Sequence, residues 1–192
     1  MSFLVALDII LGLSLPVMAI LLYYGKKITK NHFFLFWWGF LVGSTWEFAF
    51  YLFRGEITVT RANWPLPLIT KNLVHTFWDA GLFMVGYLLV VAWTRDWNCC
   101  TTFKASELTI MVVWGSATSF IVELLGNGNV WEYVPQSYNP VYLTIDGQGY
   151  TILPQLIWLV APVVFYLGAI KILRTTSKGD NLLVEGHVTA ES

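Results

Sequence analysis

ITKNLVHTFWDAGLFMVGYLLVVAW, residues 69–93, is long and apolar enough to cross a bilayer, yet its first half carries Lys71, His75 and Asp79. A membrane helix needs about 20 apolar residues. An ionisable group held within lipid costs about 2.5–3.5 kcal/mol on insertion scales, so each one asks for a partner or a purpose. The three sit four residues apart and therefore fall along one stripe of a helix. Read as a membrane span, this stretch fixes the class of the whole chain.

Four more apolar runs flank it: Phe3–Tyr24, His32–Phe53, Glu107–Leu125 and Tyr150–Leu173. With 56% apolar residues, 17% aromatic and 12% charged, the 192-residue chain does not read as an ordinary soluble domain. The expectation is an all-α, polytopic membrane helical bundle of five transmembrane helices over residues 1–174. A polar tail without apolar periodicity, 175–192, is expected to be disordered and cytoplasmic. The first run lacks a basic leader and a small-residue cleavage site, and Asp8 interrupts it, so it is expected to stay as a helix.

An odd number of spans places Lys26, Lys27, Lys30, Arg95, Lys104, Lys171, Arg174 and Lys178 on one side, against Arg54, Arg61 and Lys71 on the other. Eight against three predicts an N-terminus outside or in the lumen and a C-terminus in the cytoplasm, in the endoplasmic reticulum if the cell is eukaryotic. A net charge of −1 gives no sign of a nucleic-acid partner. Cys99 and Cys100 are adjacent in a loop of the reducing side, either as free thiols or as a site of S-palmitoylation.

On this topology Asp8, Glu47, Asp79, Glu123 and Gln155 all fall in the outer half, beside Lys71 and His75. Such a gathering at one depth predicts a polar pocket. The outer loop 126–149, GNGNVWEYVPQSYNPVYLTIDGQG, is too aromatic for a disordered linker and is expected to lie at the interface or fold over the mouth of the bundle. Pro154 and Pro162 lie nearly on one face of the last helix and can bend it around a cavity.

Trp46 precedes Glu47, Trp78 precedes Asp79, and Trp158 follows Gln155 by one turn. Carboxyls among indoles suit one chemistry. A protonated acid donates to an alkene, aromatic faces stabilise the carbocation, and a second carboxylate removes a proton. Glu47 and Asp79 are the candidate acid/base pair. Trp46, His75, Trp78, Glu123, Gln155 and Trp158 are the candidate substrate-binding residues, with Gln155 orienting a polar end. His75 is the only histidine within a span, so no bis-histidine haem site is available. Metal-ligand spacing and a glycine-rich phosphate loop are absent. No metal and no cofactor are expected. The expected partners are the membrane itself and a hydrophobic small molecule or lipid.

Glu47, Asp79 and the run Gln155-Leu-Ile-Trp158-Leu-Val-Ala-Pro162 resemble the EXPERA superfamily, which includes emopamil-binding-protein sterol isomerases and sigma-2-receptor-like proteins. The likeness covers roughly residues 32–173. It implies a small helical membrane protein enclosing a sterol-like or amphiphilic amine ligand, with carboxylates on two helices and a late Asn-x-x-Trp-x-x-x-Pro helix. Here Asp79 stands for a usual Glu and Gln155 for a usual Asn. Gly43 stands where the isomerases carry histidine, which points away from sterol isomerisation as such. Trp46-Glu47 followed by Tyr51 is similar to the Trp-Glu signature of fungal membrane-bound terpene cyclases. Gly128-x-x-Trp131-x-Tyr133 is loosely similar to membrane lycopene-cyclase domains. These relatives share isoprenoid lipids as substrates or ligands. The leading expectation is acid–base isomerisation or cyclisation of such a lipid. The alternatives are a non-catalytic lipid or amine binder and, third, a proton-coupled transporter.

Overall fold

A computed structural model describes the backbone of residues 3–188 and the side chains of residues 3–175. Five helices form an all-α bundle: α1 (Phe3–Tyr24), α2 (Lys30–Leu52), α3 (Leu68–Thr94), α4 (Ala105–Gly126) and α5 (Ile152–Val188). All five are long and apolar enough to cross a membrane, α5 over Ile152–Thr175. The chain is a multi-pass membrane bundle. The expected disorder of 175–192 concerns residues whose side chains lie outside the described residues, and the backbone of α5 continues to Val188.

Local chemistry sets the helix ends. Thr29 caps α2 by accepting from the His32 backbone N–H. Pro67 immediately precedes α3, and Arg95 in the left-handed region, at φ 53°, ends it. Glu107 sits in the first turn of α4, where the helix dipole favours an anion. Pro154 also lies in a first turn, that of α5, where a missing N–H breaks no helical hydrogen bond. The expected two-proline curvature therefore loses one of its two causes. Pro162 lies inside α5 and packs on Gly115 of α4.

α3 is the central element. It packs against α1, α2 and α4, while α5 closes the far side against α2 and α4. Gly39 and Gly43 let α2 approach closely. A Cβ on Gly39 would come 3.1 Å from Ala80 Cα, and one on Gly43 would come 2.7 Å from Asp79 Cβ. Small residues four apart are the usual device for packing helices in lipid, where apolar burial between helices gives little. The bundle's middle is aromatic. Phe83 stacks on Phe165 at 4.8 Å and leans on Trp158 at 5.3 Å.

At the basic end, fully buried Glu107 ties three elements together. It accepts from the Cys100 backbone N–H at 3.1 Å, the Tyr166 hydroxyl at 2.8 Å and Lys104 Nζ at 3.0 Å. Cys99 and Cys100 are buried here, so acylation of either thiol requires this loop to open. The Cys100 thiol donates to the Cys99 sulfur, which lowers the pKa of Cys99 and raises that of Cys100. Glu107→Ala leaves the Tyr166 hydroxyl and a backbone N–H without this acceptor, at about 1–3 kcal/mol for each group left unsatisfied. A fall in the midpoint of thermal unfolding in detergent is the expected readout; an unchanged midpoint contradicts the assignment.

The long loops at the acid-rich end are structured. β1 (Thr58–Thr60) pairs antiparallel with β2 (Trp131–Tyr133), joining segments far apart in sequence. Arg61 and Glu132 add an ion pair across them. β3 (Val141–Ile145) and β4 (Gln148–Thr151) form a hairpin whose turn holds Asp146 at φ 49° and Gly147 at φ 79°. Two successive left-handed residues make a two-residue primed turn that matches strand twist, and Asp-Gly is a favoured pair for it.

Candidate functional site

The acid-rich half of the bundle encloses a cavity of about 210 Å³. Helices α1 to α5 all contribute to its wall, and Thr58, Val130, Trp131 and Tyr133 roof it. The loop 126–149 thus folds over the mouth of the bundle through its first strand.

α3 carries more of the polar wall than any other helix because its stripe faces α1 and α2 together. Lys71, His75 and Asp79 all line the cavity. His75 sits between two carboxylates: its Nε2 is 2.8 Å from Asp8 Oδ2, and its Nδ1 is 3.7 Å from Glu47 Oε2. Asn72 Nδ2 donates to Glu47 Oε2 at 3.0 Å and to the Glu47 carbonyl at 2.8 Å. One acid is therefore held at three points. Trp78 Nε1 donates to the Asp8 carbonyl at 3.1 Å, locking α1 onto α3. Lys71 Nζ donates to Thr60 Oγ1 at 3.1 Å and so ties the lid strand to the helix.

Asp79 is different. It is buried against Gly43, and its Oδ2 has no hydrogen-bond partner. Asp79 makes no ion pair with His75 or Lys71: Asp8 and Glu47 engage the histidine and Thr60 the lysine. Gly43 explains the missing side chain at that position: any Cβ there would overlap Asp79. Gly43→Ala is expected to push Asp79 aside at a cost of about 1–3 kcal/mol, as overpacking does. Thermal unfolding of the purified variant checks this, and full wild-type stability would sink it.

Glu123, on α4, is buried beside Tyr133 of the lid. Burial and that carboxyl hold the Tyr133 phenol well above its usual pKa, so it stays a hydroxyl. Trp46 and Trp158 meet edge to face at 5.8 Å at the aromatic floor.

Of the residues expected at the site, Glu47, Asp79, Trp46, His75, Trp78, Glu123 and Trp158 all line this one cavity. Gln155 does not. It is half-buried in the first turn of α5, one turn nearer the helix start than Trp158, and the α5 residues that line the cavity are Ile157 and Trp158. Gln155 therefore stands apart from the wall that the other candidates share. Sequence reading missed Asn72 as the clamp on Glu47. Asn72 precedes Asp79 by seven residues, two helical turns, and that spacing was the available signal. Asp8 belongs to the site as the partner of His75, which only the packing of α1 on α3 discloses. No family model, curated protein or solved structure matches this chain.

Proposed function

We propose that the cavity binds an isoprenoid-derived lipid and isomerises or cyclises it through a carbocation, with Asp79 as acid and Glu47 as base. The observation that carries this reading is the contrast between the two carboxyls in one chamber. Glu47 is held by Asn72 and faces His75, as an ionised carboxylate would be. Asp79 Oδ2 is buried with no hydrogen-bond partner, which suits a neutral acid.

In the simplest case Asp79 gives its proton to an alkene carbon, and the π pair forms the new C–H bond. The positive charge then rests on the more substituted carbon, facing Trp46, Trp78 and Trp158, whose indoles attract cations. Glu47 removes a proton from a neighbouring carbon, whose C–H pair becomes the new alkene. Asp79 ends ionised and Glu47 protonated; Glu47 then releases its proton to water and Asp79 takes one up from water, which restores the site. No electron is gained or lost and no cofactor is required. The resemblance to isoprenoid-handling families supports the same ligand class.

The distribution of Lys and Arg supports an orientation with the cavity toward the outside or lumen and the basic end in the cytoplasm. In a eukaryotic cell the endoplasmic reticulum fits such a protein. A second reading is non-catalytic binding of an amphiphilic amine, favoured by four carboxyls in the cavity wall against Lys71 and His75. Incubating the purified protein with sterol and polyprenyl candidates separates the two. The enzyme yields a product of unchanged mass and new retention time, whereas a binder shows thermal stabilisation without conversion.

A further inference from the structure

The cavity is too small for the lipid that the proposed function calls for. Pockets for drug-sized ligands span about 300–1,000 Å³. An apolar cavity of about 150 Å³ admits only a benzene-sized guest. A space of about 210 Å³ holds one end of a lipid, so the rest must lie elsewhere.

The wall shows where. Among the residues lining the cavity, Leu7 on α1 and Val122 and Leu125 on α4 are also 39%, 38% and 59% exposed. α1 packs on α3 and α2, and α4 packs on α3 and α5; among the described residues no packed interface joins α1 to α4. The lid closes the end of the bundle: Trp64 and Val130 pack with Val5 at the start of α1. An apolar slot between α1 and α4 therefore opens sideways, at the depth of lipid.

The polar end of the guest is defined by what the wall leaves unmet. Asp79 Oδ2 and Ser119 Oγ are buried, have no hydrogen-bond partner, and belong to residues lining this cavity, whereas the Trp131 indole N–H has the Glu123 carboxyl as its acceptor. Asp79 and Ser119 are only 7% and 3% exposed. Four carboxyls oppose an anionic head such as a phosphate. A hydroxyl fits, because it can both accept from Ser119 and donate to Asp79, the two unmet groups.

We infer that the occupant is a neutral, oxygen-headed prenyl lipid, seated head-first in the cavity with its tail leaving between α1 and α4 into the bilayer. This rests on the same cavity as the proposed function but not on turnover, so its test reads binding alone.

The test titrates geraniol, farnesol and geranylgeraniol (two, three and four isoprene units) against the purified protein by thermal shift, with farnesyl phosphate and farnesylamine as head-group controls. The three- and four-unit alcohols are expected to stabilise at least as well as the two-unit one, and the phosphate not at all. Stabilisation that peaks at two units and vanishes at four means a fully enclosed guest and overturns the inference. So does equal binding of the phosphate, preference for the amine, or no binding by any alcohol. Leu7→Trp with Val122→Trp, both at lipid-facing positions, should weaken the four-unit alcohol at least tenfold while sparing geraniol. Equal affinities across chain lengths in that variant would place the opening elsewhere. If the alcohols bind as expected and none is converted, the catalytic reading fails and this one stands.

Discussion

Glu47→Gln and Asp79→Asn are each expected to lower turnover of the lipid substrate by about 10²–10⁴-fold, the usual weight of a positioned general acid or base. Both replacements keep shape and hydrogen-bonding capacity, so the fold should survive. They differ in what they disturb. Glu47→Gln keeps an oxygen for Asn72 and removes only the charge opposite His75. Asp79→Asn replaces an acid whose Oδ2 has no partner, so its effect on stability should be the smaller of the two. Product formation per hour, with thermal unfolding alongside, separates lost chemistry from lost structure. Full turnover in either variant removes that residue from the mechanism.

His75→Phe should be the most destabilising single change at the site. The imidazole stands between the carboxylates of Asp8 and Glu47, which belong to two different helices. Removing one partner from a buried ion pair commonly costs about 3–5 kcal/mol, because the charge left behind has neither water nor counterion. Here Asp8 loses its hydrogen-bonded partner, and Glu47 loses the imidazole beside it while keeping Asn72. Asp8→Asn in the same background should recover part of the loss, since it deletes one of those stranded charges. Denaturant or thermal unfolding of the single and double variants measures this coupling. Additive effects would mean that Asp8 and His75 do not work as a pair.

The aromatic floor bears on the transport alternative. Trp158 lines the cavity, Phe83 packs on it, and Phe165 stacks on Phe83. Tyr166, the residue after Phe165 on α5, hydrogen-bonds Glu107 at the basic end. A chamber shut by stacked rings on its inner side and by a strand lid on its outer side suits a substrate that arrives from lipid.

How much of this could be read from the sequence depends on the range of each interaction. The five helices follow from apolar runs, and their ends fall within two residues of the expected boundaries apart from the extension of α5. The α3 stripe was legible because helical spacing alone aligns Lys71, His75 and Asp79. Which partner each would take was not. Asp8 meets His75, and β1 meets β2, only through the packing of elements far apart in the chain. Gln155 lies on the expected helix, but its position one turn from Trp158 falls outside the cavity wall. The Asp146-Gly147 hairpin was legible in principle, since a turn pair flanked by Val141–Ile145 and Gln148–Thr151 is a local signal. The Gly39 and Gly43 pair was equally local, and its meaning appears once α3 lies against it.

The central claim is that one acid in this chamber adds a proton to carbon while another removes a different one. Turnover in D2O, with the product analysed by mass spectrometry, tests it most directly. The account predicts a product one mass unit heavier than that formed in H2O, with deuterium on carbon, and no such product from Asp79→Asn. A product formed at the same rate in D2O without deuterium on carbon would contradict it.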